Sequence, residues 1–225
     1  MISVAMITMN EEQAVARVIN DIRAALEDRE HEIVIVDSSR DSTAEIAERM
    51  GARVIRQFPP KGYGHAMARV LRECLGEVTV TLDCDGTYPA NEIPRLAGLV
   101  LSEEYDLVNA SRLEKRPVTM PWPNYLANWL FAVTGWLLVG VKSTDLHSGM
   151  RAYSRQVIER VQVDPNGPAL PVDLLLKPAL MGFRIHEVFI PYGERIGTTT
   201  LQRWTSTVWT FRRIFRLAFS LPASR

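Results

Sequence analysis

The chain has 225 residues, and its 26 basic and 26 acidic side chains give a formal net charge of +0. A balanced charge lacks the basic excess that nucleic-acid-binding proteins show, so no nucleic-acid partner is expected. Hydrophobic residues make up 47% and charged residues 23%, as in ordinary folded globular proteins. The length favours one α/β domain with an appended C-terminal element.

The first half of the chain alternates between apolar strand patterns and segments with helical spacing. The predicted strands are "ISVAMIT", "EIVIVD", "ARVIRQF", "EVTVTLD" and "YDLVNASR". The predicted helices are "EEQAVARVINDIRAAL", "STAEIAERMG", "GYGHAMARVLRECL" and "PANEIPRLAGLVLS". Ser42 and Glu45 have the spacing of a capping box at the start of the second helix. This alternation predicts a largely parallel sheet with helices on both faces.

The second half of the chain is less regular. The segments "EKRPVTMPWPN" and "VDPNGPALP" are rich in proline and predict loops. The segment "YLANWLFAVTGWLLVGV" is close to the minimum length of a membrane span, but it includes polar residues and glycines, so we do not expect it to cross a bilayer. The N-terminus has no basic start and a short apolar run, so we expect no signal peptide and a cytoplasmic location.

The C-terminal segment "RWTSTVWTFRRIFRLAFSLP" has helical spacing and a predicted apolar face. Arginines flank this face, as in helices that lie in the headgroup plane of a membrane. The alternative is an amphipathic helix that packs on the sheet or on a second subunit of a homodimer. The apolar segment that contains Trp129 and Trp136 could form a second interfacial helix. The predicted apolar face consists of Trp204, Val208, Phe211, Phe215 and Phe219.

Three polar clusters follow predicted strands: Thr8 to Glu11, Asp37 to Asp41 and Asp83 to Asp85. Ligands of open α/β sheets bind beyond the carboxyl ends of the strands, so these clusters predict a single site. Neither GxGxxG nor GxxxxGK[ST] is present, which leaves dinucleotide and P-loop sites without their fingerprints. Only two cysteines occur, Cys74 and Cys84, and their spacing fits neither a zinc knuckle nor a disulfide framework.

Asp83 and Asp85 stand two residues apart, so their side chains point to the same side if the extended backbone continues. Adjacent carboxylates repel unless a cation or a proton lies between them. A divalent ion such as Mg²⁺ takes one or two carboxylates and completes its shell with phosphate oxygens. The alternative is a polar strand-to-helix turn without a ligand.

The chain resembles inverting nucleotide-sugar glycosyltransferases with a GT-A fold. Within these it is similar to dolichyl-phosphate mannosyltransferases and polyprenyl-phosphate glycosyltransferases. The matching segments occur in the family's order and cover most of residues 1–201. They are "MITMNEEQAVARVI", "IVIVDSSRDSTAEIAE", "KGYGHAMARVL", "VTLDCDGTYPANEIPRL", "NASRLEKR", "STDLHSGMRAYSR" and "FIPYGERIGTTTL". The resemblance implies a Rossmann-like GT-A domain over residues 1–201 and an amphipathic helix at 202–225 that is a membrane-interface or dimer element.

The resemblance also implies roles at the donor site. Asp83 and Asp85 would hold Mg²⁺ or Mn²⁺ on the diphosphate, with Thr87 at a position that often carries a metal-binding glutamine. The other residues expected at the donor are Thr8, Asn10, Glu11, Asp37, Lys61, Cys84 and Arg195. Of these, Asp37 is expected beside the base and Arg195 near the phosphates. Lys61 precedes a helix N-terminus, where anions are favoured, and its alternative is a solvated loop position.

Arg112 matches the arginine that meets the acceptor phosphate in the family. The family often carries further arginines where this chain reads "TMPWPNYLAN", so Lys115 or Arg116 would substitute. The family's "RxGxSK" ending reads "RIGTTT" here and lacks the lysine. These differences remove positive charge from the expected phosphate sites.

One segment of seven residues contains candidate residues for binding or activating the acceptor. They are Asp145, His147 and Arg151. A hydroxyl acceptor needs a general base, which would be Asp145 or His147. A phosphate acceptor is already an anion and needs mainly cations, so Asp145 would instead orient Arg151 at that acceptor. The alternative is a local Asp–Arg pair that braces a loop.

The resemblance implies a metal-dependent inverting enzyme that moves a sugar from a GDP- or UDP-sugar to a dolichyl or undecaprenyl phosphate. Asp85, Arg112 and Asp145 are the expected catalytic residues. The expected location is peripheral on the membrane. One alternative is the same chemistry on a non-lipid hydroxyl acceptor, and another is a non-catalytic membrane-associated relative.

Overall fold

The computed structural model describes residues 1–197 and 203–220. Within these residues the strands form one seven-stranded sheet in the order β3-β2-β1-β4-β6-β5-β7. Strand β6 runs antiparallel to both of its neighbours, and the other pairs are parallel. The strands are β1 (Ile2–Thr8), β2 (His31–Asp37), β3 (Arg53–Arg56), β4 (Val78–Thr81), β5 (Leu107–Ser111), β6 (Arg151–Ser154) and β7 (Ile185–Phe189).

Helices cover both faces of the sheet. One buried cluster joins the sheet to α1, α2 and α4, and a second joins it to α3, α5, α6, α7 and α8. A short 3₁₀ turn, Ala90–Glu92, precedes α4. The helices are α1 (Val15–Ala25), α2 (Thr43–Arg49), α3 (Tyr63–Glu73), α4 (Ile93–Leu101), α5 (Trp122–Val139), α6 (Arg155–Arg160), α7 (Leu170–Leu180) and α8 (Arg203–Ser220).

The predicted fold class is confirmed, and strands β1 to β5 and helices α1 to α4 lie where the sequence pattern places them. The capping box at Ser42 is wrong, because the Ser42 side chain makes no capping hydrogen bond. The nearby Asp41 carboxylate bonds the first amide of the helix, and its Oδ1 accepts the Thr43 N–H at 3.0 Å. A capping serine at position 42 would instead accept from an amide one or two residues further along the helix.

The second half contains elements that the sequence pattern did not reveal, namely β6, α6, α7 and β7. Helices α5 and α7 both begin inside segments predicted as loops. Each carries a proline in its first turn, Pro123 and Pro171 respectively. Proline is compatible with the start of a helix because the first-turn amides lack intrahelical acceptors.

The predicted apolar face of α8 is only partly correct. Phe211 turns towards the domain and packs on Phe131 of α5, with 5.0 Å between ring centroids. Val208, Phe215 and Phe219 are exposed. The Trp204 side chain lies outside the described residues. The buried face of α8 instead consists of Thr210, Arg213, Ile214 and Leu217.

Arg213 explains why α8 docks with a polar residue inward. Arg213 is 3% exposed, and its guanidinium pairs with Asp173 of α7 at 2.9 Å. Neighbouring Arg216 pairs with Asp164 at 2.8 Å. Buried arginines are tolerated where carboxylates and carbonyls satisfy their donors. Among the helices of the described residues, none is long and apolar enough to cross a membrane.

Candidate active site

The three predicted polar clusters meet at the carboxyl edge of the parallel strands. Thr8 and Asp37 are register partners at the ends of β1 and β2. The turn that carries Asp83 and Asp85 follows β4, which pairs with β1 on its other side. The crossovers bring these loops to one edge because neighbouring parallel strands end together.

Asp37 is fully buried and bonded within the protein. Its Oδ1 accepts hydrogen bonds from the Thr8 hydroxyl at 2.7 Å and the Ser39 hydroxyl at 2.5 Å. Its Oδ2 pairs with Arg56 at 2.8 Å. These bonds hold the ends of β1, β2 and β3 in fixed positions, so Asp37 shapes the edge of the site.

Asn10 adopts the left-handed backbone conformation, with φ of 62°. Asparagine tolerates this region better than most residues, because its short amide bonds nearby backbone groups. Its N–H donates to the Ser39 hydroxyl at 2.8 Å, and its Oδ1 accepts the Arg40 N–H at 2.9 Å. The turn after β1 is thereby tied to the turn after β2.

The two aspartates of the β4 turn differ in their surroundings. Asp85 is 3% exposed, and its Oδ1 accepts the Thr87 N–H at 3.0 Å and the Thr87 hydroxyl at 2.6 Å. Asp83 is half-buried, and no described residue donates a hydrogen bond to its carboxylate. Burial, then repulsion from Asp85, raises the pKa of Asp83 to about 6. A carboxylate without a hydrogen-bond donor, beside a second carboxylate, fits a cation.

Arg195 bridges two acidic groups at this turn. Its guanidinium bonds Asp85 at 2.7 Å and Glu11 at 2.5 Å. Burial nevertheless raises the pKa of Glu11 to about 7, against the lowering effect of Arg195. Two carboxylates therefore share the charge of this guanidinium. Asp83 also lies close enough to Arg112 and Arg195 for both to lower its pKa.

The backbone after β7 crosses the acidic turn and places Arg195 there. The Gly193 N–H donates to the Thr87 carbonyl, and the Ile196 N–H donates to the Asp85 carbonyl, each at 2.9 Å. No group of three His, Cys, Asp or Glu side chains within the described residues is arranged to hold a metal alone. A cation at Asp83 and Asp85 would therefore take further oxygens from a ligand or from water.

Two side chains of this turn, those of Thr87 and Cys84, are buried and so less accessible to a metal or a donor than the sequence implied. The Thr87 hydroxyl is buried and donates to Asp85, so it braces a carboxylate. The Cys84 thiol is 2% exposed and packs in the core, and burial raises its pKa well above the ordinary value. The thiol points into the core, and the role of Cys84 at the donor stays a prediction.

Arg112 and Asp145 form a two-pronged ion pair. The Arg112 Nε lies 2.7 Å from Asp145 Oδ2, and Nη2 lies 3.0 Å from Oδ1. Burial alone would raise the pKa of Asp145, but the Arg112 guanidinium holds it below its usual value. Such a pair fixes the plane of the guanidinium.

Arg151 has a different role from the one predicted. It is 1% exposed and donates to Asn109 Oδ1 at 2.7 Å and to the Pro171 and Leu146 carbonyls at 2.6 and 2.9 Å. Asp145 pairs with Arg112 rather than with Arg151. The prediction of Arg151 as an acceptor-binding residue is wrong, because the folded core uses its donors.

Asp145 and His147 are also poorly suited to act as a general base. Both Asp145 oxygens accept from Arg112. Burial lowers the pKa of His147 to about 4, against the raising effect of Asp145. Its Nε2 lies 2.9 Å from the Thr210 hydroxyl of α8. Neither group is therefore a base matched to neutral pH.

The remaining predicted cations lie at the rim. Lys61 is exposed just ahead of α3. The phenol of Tyr63, at the start of α3, has a pKa raised by burial and then by the charge of Asp83. Lys115 is exposed, whereas Arg116 bonds the Met120 carbonyl at 2.5 Å.

Sequence reasoning missed two aromatic residues that frame Arg112. Its guanidinium lies 5.1 Å from the ring centroid of Tyr192 and 6.0 Å from that of Tyr88. The Tyr88 hydroxyl accepts the Gly149 N–H at 2.7 Å. Both tyrosines lie in the motifs "DGTYP" and "IPYGER", which carried the family resemblance, and this was the signal available.

The sheet order and the acidic turn at its carboxyl edge define a GT-A fold, the α/β architecture of nucleotide-sugar-dependent transferases. The sequence profile of Glycosyl transferase family 2 matches residues 3–162. The chain therefore belongs to Glycosyl transferase family 2 and is a glycosyltransferase.

Among its relatives is the dolichyl-phosphate hexose transferase of Haloferax volcanii. It is 42% identical over 200 residues, which cover 89% of this chain and 86% of that protein. The dolichol-phosphate mannosyltransferase of Pyrococcus furiosus is 28% identical, and the alignment covers 96% of this chain and 63% of that protein. Among solved structures, the glucosyl-3-phosphoglycerate synthase of Mycobacterium tuberculosis, in complex with Mn²⁺, UDP-glucose and phosphoglyceric acid, aligns with a TM-score of 0.77. It is 23% identical, and the alignment covers 99% of this chain and 81% of that one.

Proposed function

We propose that this enzyme transfers a hexose from a nucleoside-diphosphate sugar to a polyprenyl phosphate, with Mg²⁺ or Mn²⁺ at Asp83 and Asp85. The observation that supports this most is the acidic turn itself, where no described residue donates a hydrogen bond to the Asp83 carboxylate and the neighbouring Asp85 pairs with Arg195 at 2.7 Å. An acidic cation site flanked by fixed cations suits a reaction between two phosphate-bearing substrates. The names of the archaeal relatives agree with such an acceptor.

On the donor side, the acidic turn would hold the cation and Arg195 would meet the diphosphate. A bound Mg²⁺ or Mn²⁺ would neutralise the leaving diphosphate. Thr87 keeps Asp85 oriented through its hydroxyl and amide. Thr8, Asn10 and the buried Asp37 set the edge on which the base and ribose would lie.

On the acceptor side, Arg112 would bind the phosphate, with Asp145 as its orienting partner. A phosphate acceptor needs no base at neutral pH, whereas a hydroxyl acceptor does. The commitment of Asp145 and His147 within the protein therefore supports a phosphate acceptor over the hydroxyl alternative. The two tyrosine rings beside Arg112 limit where its guanidinium can move.

We also propose that α5 and α8, with residues 202–225 as the C-terminal element, form a membrane-contacting surface. These helices touch through Phe131 and Phe211, and their outer faces expose large apolar side chains beside Arg212 and Arg216. Aromatic side chains mixed with arginines suit a headgroup layer. This supports a peripheral position on the cytoplasmic side of a membrane. The exposed apolar residues are Trp122, Leu126, Trp129, Leu130, Trp136, Leu137, Leu138, Val208, Trp209, Phe215 and Phe219.

The proposed reaction is tested by incubating the purified enzyme with labelled GDP-mannose or UDP-glucose, Mn²⁺, and vesicles that contain undecaprenyl or dolichyl phosphate. We expect label to enter the lipid phase from one donor, and EDTA to prevent this. Transfer only to water-soluble acceptors, or equal transfer in EDTA, would contradict the proposal.

The membrane surface is tested by sedimentation with phosphatidylglycerol vesicles. Replacing both Phe215 and Phe219 by serine should weaken vesicle binding by about 10-fold or more, since each exposed ring would lose its burial in lipid. Phe58→Ser is the matched control, because Phe58 is exposed outside both helices. Unchanged binding of the double variant, or a shift from dimer to monomer, would assign this face to a subunit contact instead.

A second prediction concerns Gly149, which makes room for the Asp83 carboxylate. A Cβ at position 149 would lie 2.8 Å from Asp83 Oδ2 and 2.9 Å from Oδ1. Gly149→Ala must therefore displace a metal-binding carboxylate, and we expect Mn²⁺ affinity to fall by about 10- to 100-fold. Calorimetric titration with Mn²⁺ measures this.

The matched control for that prediction is Gly98→Ala in α4, where a Cβ meets no atom within 4 Å. It should leave Mn²⁺ affinity unchanged. Equal Mn²⁺ affinity in the Gly149→Ala variant would show that the Asp83 carboxylate is not a ligand.

A further inference from the structure

His147 lies between the helices α5 and α8 and the Arg112–Asp145 pair of the candidate active site. Its ring stands 5.5 Å from the Phe131 ring of α5, and its Nε2 lies 2.9 Å from the Thr210 hydroxyl of α8. Its backbone N–H donates to Asp145 Oδ1 at 3.1 Å. Asp145 in turn clamps Arg112. A continuous series of contacts thus runs from α8 to the guanidinium.

The direction of the central hydrogen bond follows from proton counting. The Thr210 hydroxyl donates its single proton to the Ser206 carbonyl at 2.8 Å, within α8. The bond to His147 must therefore be donated by the imidazole Nε2–H. Thr210 is fully buried, so solvent does not replace this acceptor if it is removed.

The rest of α8 is held independently of this bond. Arg213 pairs with Asp173 at 2.9 Å, and Arg216 pairs with Asp164 at 2.8 Å. Ile214 and Leu217 pack in the core. Removing the Thr210 hydroxyl alone should therefore leave α8 docked, while it frees the imidazole and the segment that carries Asp145.

We propose that His147 is a positioning residue that couples the seating of α8 to the orientation of the Arg112–Asp145 pair. A change in how α8 packs would then change the orientation of the Arg112 guanidinium. Arg112 also donates its backbone N–H to Asp145 Oδ2 at 3.3 Å. The Arg112 and His147 amides therefore both bond the Asp145 carboxylate, and their exchange rates measure whether it stays in place. The effect on acceptor use rests on the proposed function, whereas the effect on these amides does not.

Amide hydrogen exchange tests the coupling without turnover. In Thr210→Val, exchange at the Arg112 and His147 amides should accelerate by about five-fold, the factor expected for one lost hydrogen bond. The Gly193 and Ile196 amides bond across the donor-side turn and should keep their rates. Unchanged rates at Arg112 and His147, or an equal rise at all four amides, would overturn the proposal.

Two further variants separate coupling from a general structural effect. Thr210→Ser keeps the hydroxyl and should restore the wild-type exchange rates. Thr134→Val makes the same chemical change on α5, where the hydroxyl bonds the Leu130 carbonyl of its own helix. It should leave the Arg112 and His147 amides unchanged, and acceleration there would assign the effect to loosened surface helices.

A kinetic arm uses undecaprenyl phosphate in vesicles. Thr210→Val should raise the KM for this acceptor by about five-fold and leave the KM for the donor unchanged. An equal change in both KM values would contradict the coupling. If the wild-type enzyme transfers no sugar to this lipid, the proposed function fails, and the exchange experiment still decides the coupling.

Discussion

Replacing Asp85 by asparagine is expected to reduce sugar transfer by about 10³-fold while the fold stays intact. Asparagine keeps the shape of the side chain and can still accept the Thr87 hydroxyl and amide bonds. It removes the charge that would share a divalent cation with Asp83 and that pairs with Arg195 at 2.7 Å. The loss should therefore appear in catalysis rather than in folding.

The measurement is initial-rate transfer with saturating Mn²⁺, accompanied by thermal unfolding of each variant. Asp106→Asn is the matched control, because Asp106 forms a similar pair with Arg184, just before the start of β5. This second variant should retain full activity. If Asp85→Asn transferred sugar at the wild-type rate, with EDTA present, the metal role of the acidic turn would be wrong.

Replacing Arg112 by methionine is expected to abolish acceptor use and also to destabilise the protein by about 3–5 kcal/mol near neutral pH. The stability effect arises because Asp145 is fully buried and would lose the guanidinium that bonds both of its oxygens. An uncompensated buried carboxylate costs much more than the pair contributes.

The double variant Arg112→Met/Asp145→Asn separates these two effects. It removes both charges, so most of the lost stability should return, while transfer should remain absent. Urea unfolding and the vesicle transfer assay measure the two outcomes. Recovery of activity in the double variant would show that Arg112 does not bind the acceptor.

The pH dependence of the single variant identifies Asp145 as the source of the instability. In the wild-type protein, the pKa of Asp145 is below its usual 3.8, so this pair stabilises the fold above that pH and the contribution is lost as pH falls. In Arg112→Met, the Asp145 carboxylate loses the opposing guanidinium charge, and burial raises its pKa. Its destabilisation relative to wild type should then be larger at about pH 8 than at about pH 5. Equal destabilisation at both values would point to lost packing instead.

The sequence by itself was sufficient for the first half of the fold. Strands β1 and β2 are largely apolar and buried between parallel neighbours, and β4 alternates valine with threonine. Helices α1 and α3 carry apolar side chains at helical spacing. Such patterns are local, so they can be detected without knowing what the segment packs against. The same local reading placed Asp83 and Asp85 at a strand end, and the ordered motifs identified the family.

The second half was harder, because proline-rich segments concealed helix starts. Pro123 and Pro171 stand in the first turns of α5 and α7, where proline is tolerated, yet the same residues also mark loops. The strand β6 has four residues, too few for a clear alternation. Its antiparallel position between β4 and β5 depends on pairing with both neighbours.

Only the tertiary structure decided the partners of the charged residues near the acceptor side. Asp145 is six residues from Arg151 and 33 from Arg112, so sequence proximity favoured the wrong pair. The insertion of β6 beside β5 brings the segment before it against Arg112 and turns Arg151 into the core. Likewise, Arg213 is buried because Asp173 of α7 lies beneath α8. Ion pairs form between atoms that the fold brings together, whereas a sequence pattern reports only the local preferences of each segment.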